Sequence, residues 1–151
     1  MILEMSKLKI SLAGDAMLGR MVDQLQEVHL SSADGDITSK YLKHLKEQHP
    51  ELSSVDQHYP LGNLLSELQN SDVNVVNLET AITTQSNPVR KTFNFRMHPQ
   101  NAEILKIANI SYVSLANNHI LDFGKNGLID TMHHLAKSDI AFAGILIIDL
   151  P

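Results

Sequence analysis

Asp15, Glu79, Asn118 and His119 are the residues of this chain whose types and placement suit shared chemistry. Each stands at the end of a short apolar run. Gly14-Asp15 follows LKISLA, Asn77-Leu78-Glu79-Thr80 closes VNVVNL, and Asn117-Asn118-His119 follows ISYVSLA. Two carboxylates, an amide oxygen and an imidazole make a hard oxygen and nitrogen donor set. Such a set suits Mg, Mn, Fe or Zn, as one ion or two, rather than a thiolate-seeking ion. A cation held there would polarise a phosphoryl or carbonyl oxygen and lower the pKa of bound water. Taken singly, each residue has a plainer role. Asp or Asn after a strand builds turns or caps a helix. A lone Glu is commonly solvated, and a lone His is commonly a surface or core residue. The coincidence of three strand ends is what points to a site.

Neighbouring motifs are weaker. His119 and Asp122 are three apart, so Asp122 either orients the imidazole as an acceptor or only builds the turn with Gly124. Gly14-Asp-Ala-Met-Leu-Gly19 has the glycine spacing of a phosphate loop. Arg20 and Met21 replace the Lys and Ser/Thr that such a loop needs. His133 and His134 are adjacent in a helical pattern and face different ways. They read as solvated, as do His29, His44, His49 and His58. No Gly-x-Ser-x-Gly elbow supports a serine hydrolase.

Positioning these groups requires strands. Four β-branched runs have strand length: Leu8 to Ala13, Val73 to Leu78, Ile110 to Ala116 and Ile140 to Ile148. Apolar stripes at helix spacing lie between them, over Met17 to Val28, Leu61 to Leu68, Ala102 to Ala108 and Leu128 to Ala136. Pro99 stands at the first turn of the third. Strands alternating with helices predict βαβ units, hence an α/β sandwich with a mostly parallel sheet and helices on both faces. Ligands of such sheets bind outside the carboxyl ends of the strands. Residues 29–60 are polar and read as an insertion with a short helix over Ile37 to Leu45. Residues 83–92 read as a loop, with an edge strand at Phe93 to Arg96.

Length and composition bound the rest. The 151 residues suit one domain. A net charge of −5 argues against a nucleic-acid partner, and 5% aromatics with no Trp argue against base stacking. Without cysteine there is no disulfide or thiolate site. No apolar run reaches the roughly 18–20 residues of a membrane span, and no signal-peptide core is visible, so a cytoplasmic location is the default expectation. Ile140 to Ile148 is almost wholly apolar and little follows it. A buried parallel strand normally feeds an element that covers it. The expectation is a single incomplete domain over 1–151, truncated and prone to self-association.

The chain resembles the bacterial capsule-synthesis protein family CapA, also called the poly-γ-glutamate synthesis protein family. The matching stretches are Gly14 to Arg20, Asn77 to Thr80, Phe93 to Arg96, and above all Ser114-Leu-Ala-Asn-Asn-His-Ile-Leu-Asp-Phe-Gly124 continuing to Thr131. That family looks like a branch of the calcineurin-like metallophosphatases. The resemblance implies a metallophosphatase-like fold and a metal-dependent phosphoesterase-like hydrolase acting in capsule or poly-γ-glutamate synthesis. It implies that Asp15, Glu79, Asn118 and His119 fall at metal and phosphate positions, with Asn118 and His119 as the catalytic pair. The implied substrate is a phosphoester or polyanionic polymer. Family members are longer, often membrane-tethered or exported, and their later half adds histidines to the site. The alternative is a non-catalytic remnant or binding module of the same fold.

Overall fold

A computed structural model describes residues 7–31 and 36–145. Strand β1 (Ile10–Asp15) leads to a five-residue helix α1 (Met21–Leu25). Helix α2 (Asp36–Gln48), two 3-10 turns at Pro50–Ser53 and Tyr59–Leu61, and α3 (Leu64–Gln69) carry the chain to β2 (Val73–Asn77). Two short strands follow, β3 (Ala81–Ile82) and β4 (Arg96–Met97). A 3-10 turn at Pro99–Ala102 runs into α4 (Glu103–Ile107), then come β5 (Tyr112–Ser114), α5 (Gly124–Lys137) and β6 (Ala141–Ala143).

Strands β1, β2, β5 and β6 form one sheet in that order, all parallel. Strands β3 and β4 pair separately, also parallel. The mixed α/β class with a mostly parallel sheet is therefore as expected, but its cover differs. The strand order advances in one direction only. Right-handed crossovers taken repeatedly in one direction place their helices on the same face. Ser11, Asn74, Val76, Val113 and Phe142 share that face through the strand register. Val76, Val113 and Phe142 pack with Leu68 of α3, Ile104 and Leu105 of α4, and Leu128, Met132 and Leu135 of α5. The opposite face carries Ile10, Leu12, Val73, Val75 and Tyr112. Ile10 is 53% and Leu12 77% exposed. Helices on both faces are not found among the described residues. Hydrophobic pattern does not reveal this, because the exposed face (Ile10, Leu12, Val73, Val75) is at least as apolar as the covered one, which holds Ser11 and Asn74.

Several boundaries also move. The helix expected over Met17 to Val28 is confined to α1, because Arg20 before it has φ +53° and ψ −121° and Gln26 after it is extended, with ψ 155°. The first strand starts at Ile10 and runs through Asp15. The stripe from Leu61 to Leu68 splits around Gly62, whose φ is +48°. The strand expected at Phe93 to Arg96 shifts to Arg96–Met97, which among the described residues pairs only with β3 and whose two residues are both buried. Within the polar stretch, α2 is 13 residues long, and the buried Leu42 and Leu52 anchor that region. The run from Ile140 narrows to β6, and Leu146 to Ile148 lie outside the described residues.

Candidate functional site

Strands β1, β2 and β5 are neighbours, so their carboxyl ends bring three sequence segments together. Asp15 is the last residue of β1 and pairs with Asn77 across an irregularity in the register. Asn77 Nδ2 donates to Asp15 Oδ1 at 2.7 Å. The backbone closes the junction: Ala16 N–H donates to Asn77 O at 2.7 Å, and Glu79 N–H donates to Ala16 O at 3.2 Å. Glu79 therefore stands beside Asp15. Burial pushes the Glu79 carboxyl above the ordinary carboxylate value, and the hydrogen bond and charge of Asp15 add to the rise. His119 and Lys91 oppose it. Two carboxyls pressed together in this way favour a proton or a cation between them.

His119 completes the group. Its Nε2 lies 3.9 Å from Glu79 Oε1, and its Nδ1 lies 2.7 Å from Asp122 Oδ2. The spacing of three does place Asp122 as the orienting acceptor, within the turn that it also helps to build. Asp122 is fully buried and takes two further donors: Phe95 N–H on Oδ2 and Lys91 Nζ on Oδ1, both at 2.6 Å. The Phe95 ring stacks on the imidazole, with centroids 3.8 Å apart and planes 13° from parallel.

Of the four residues proposed from sequence, Asp15, Glu79 and His119 are brought together. Asn118 is exposed beside them, and its backbone carbonyl accepts from Lys91 Nζ at 2.9 Å. The neighbouring Asn117 ties the strand ends. Its Nδ2 donates to Asn77 Oδ1 at 3.0 Å and to Leu78 O at 2.9 Å, while its Oδ1 accepts from His119 N–H at 3.0 Å. His29, His44, His49, His58 and His133 are exposed as expected. His134 is half-buried, and that burial, with the charge of His133, lowers its pKa. Sequence reasoning missed Lys91, Phe95 and Asn117. Asn117 had a visible signal in its place between a strand and His119; Lys91 sat in a polar loop with none of its own.

The donor chemistry fits a divalent cation: two juxtaposed carboxyls facing an imidazole nitrogen. Among the described residues, no three His, Asp or Glu side chains converge into a ready-made cage. None of the described helices is long and apolar enough to cross a membrane.

Comparison with known proteins adds the family. The model of the bacterial capsule synthesis protein PGA_cap matches residues 9–147. A probable polyglutamine synthesis accessory protein of Mycobacterium tuberculosis is 38% identical over 147 residues, covering 89% of this chain and 38% of the relative. The figures are the same for strains CDC 1551 / Oshkosh and H37Rv. The PGA biosynthesis protein CapA of Bacillus subtilis is 27% identical over 139 residues, covering 91% of this chain and 30% of the relative. The chain thus spans well under half the length of the relatives that it matches.

Proposed function

The chain belongs to the bacterial capsule synthesis protein family PGA_cap, and from that premise we propose that it serves the synthesis of a polyglutamate-type anionic polymer through a divalent-cation site. The observation that carries this reading is the meeting of Asp15, Glu79 and His119 Nε2 at the carboxyl ends of three strands. Asp15, Glu79 and His119 would hold Mn, Zn, Fe or Mg, with Asn118 at the rim. Such an ion, when bound, supplies polarisation of a phosphoester or polymer oxygen. The chain's own residues gather the negative charge, and Asp122 fixes the imidazole so that Nε2 faces the carboxyls. His119 acts there as a ligand or as the proton carrier for a leaving oxygen. The printed names of the relatives, for polyglutamine synthesis and for PGA biosynthesis, support the polymer.

Titration calorimetry with Zn or Mn tests the site. Asp15→Ala and His119→Ala are expected to weaken binding by about tenfold or more, and His134→Ala to leave it unchanged. Equal binding by all four proteins would refute the site. A second reading, binding without turnover, rests on the few donors among the described residues, since a Zn site wants about four donors and a two-metal site more. Phosphomonoester hydrolysis well above background would overturn that second reading.

A further inference from the structure

The segment from Val89 to Phe95 is strapped to Asp122 from several sides. Val89 N–H donates to Asp122 O at 2.8 Å, and Asn94 Nδ2 donates to the same carbonyl at 3.3 Å. Phe95 N–H and Lys91 Nζ occupy the two carboxylate oxygens. From this strap, Lys91 reaches three atoms around one imidazole: Asp122 Oδ1 at 2.6 Å, Asn118 O at 2.9 Å and His119 Nδ1 at 3.3 Å.

Donor accounting decides what this does. An ammonium and a backbone N–H can only donate. Each Asp122 oxygen therefore accepts an obligate donor, one of them an ammonium, and as the carboxylate that this pairing favours Asp122 meets His119 Nδ1 at 2.7 Å as an acceptor. The hydrogen of that bond must sit on Nδ1, which in the neutral imidazole leaves the lone pair on Nε2, the nitrogen that faces Glu79. Lys91 cannot supply a hydrogen to Nδ1 as well, so its 3.3 Å approach is a contact with a nitrogen already committed to Asp122. Face and edge are both fixed, since Phe95 stacks on the ring from the same strap.

We propose that Lys91 is a positioning residue: through Asp122 it holds His119 in the Nδ1–H tautomer and aims an open Nε2 at the Asp15–Glu79 pair. This rests on the cation-site reading for its purpose, though not for its geometry. It also explains why a polar loop contributes a part-buried ion pair to the site.

Long-range proton–nitrogen NMR of histidine-labelled protein tests it, with His119 assigned by its loss in His119→Gln. The wild type is expected to show the Nδ1–H tautomer. Lys91→Met is expected to lose that preference and to weaken Zn binding by about tenfold, as the loss of an outer partner of a ligating histidine does. Lys91→Arg, which keeps the charge and the donors, is expected to restore both. An Nε2–H signal in the wild type, or an unchanged tautomer in Lys91→Met, would overturn the proposal. Should Lys91→Met prove unfolded by circular dichroism, Lys91→Ala, which likewise removes both the charge and the donor, gives the same reading, and an unchanged tautomer there overturns it equally. If Zn fails to bind the wild type, the cation-site reading falls while the tautomer result still judges Lys91.

Discussion

The two faces of the sheet are built from similar residues and live in different surroundings. On one, Val76 and Val113 lie under α3, α4 and α5. On the other, Ile10 and Leu12 are largely exposed and Val75 and Tyr112 only half-buried. The difference comes from topology rather than composition. A sheet whose strands advance in one direction receives all its crossovers on one side. Hydrophobic pattern shows that a strand is meant for burial, but connection order decides which side the chain itself can bury.

Substitutions of one type on both sides give the largest test. Leu115→Ala in the covered core is expected to cost about 2–5 kcal/mol, because it opens a cavity among packed neighbours. Leu12→Ala on the bare face is expected to stay within about 0.5 kcal/mol in either direction. Denaturant melts that gave equal losses would show that the bare face is covered in solution.

Association is the next effect. An exposed apolar sheet face beside the edge strand β1 favours concentration-dependent self-association. Light scattering after size exclusion should show the wild type shifting to larger species as concentration rises. Leu12→Lys should reduce that shift without lowering the melting temperature. A wild type that stays monomeric at every concentration would break the contrast between the faces.

The smallest effect repeats the contrast in two carboxyls. Asp15 is exposed at the end of the bare edge strand, whereas Glu79 follows the more deeply packed β2 and has its pKa raised first by burial. The sign follows from linkage. The folded chain holds the Glu79 proton more tightly than the unfolded chain does, so stability falls as pH rises through the carboxylate range to the raised value. In metal-free protein, Glu79→Gln should melt higher than the wild type near neutral pH. The two should converge at pH values below the ordinary carboxylate range. A difference that grew on acidification would reverse the assignment.

Much of this contrast was out of reach of the sequence. The runs at Leu8, Val73 and Ile110 were legible because apolar, often β-branched residues are bounded by polar ones, and those boundaries delivered Asp15, Glu79 and His119 to one place. Asp122 was legible from its spacing to His119. The late start of α1 was not, because it depends on the positive φ of Arg20, an uncommon conformation for a residue with a side chain. Lys91 was not legible either. Its contacts reach 27 to 31 residues along the chain, and nothing local in a polar loop encodes them.

Asn74 gives the arrangement its measure of length. It lies fully buried at the opposite end of β2 from the site. Its Nδ2 clasps Leu68 O at 2.7 Å and Asn109 O at 2.9 Å, gripping the chain just before β2 and just before β5. Both strands are thus zeroed against one amide, and the residues beyond them are dealt out at about 3.3 Å per step. A slip of one step would turn every side chain of β2 to the other face and carry Glu79 about that far from its partners. The spacing between Glu79 and His119 is therefore set at the far end of the sheet, as the marks on a ruler are set by where its zero is pinned.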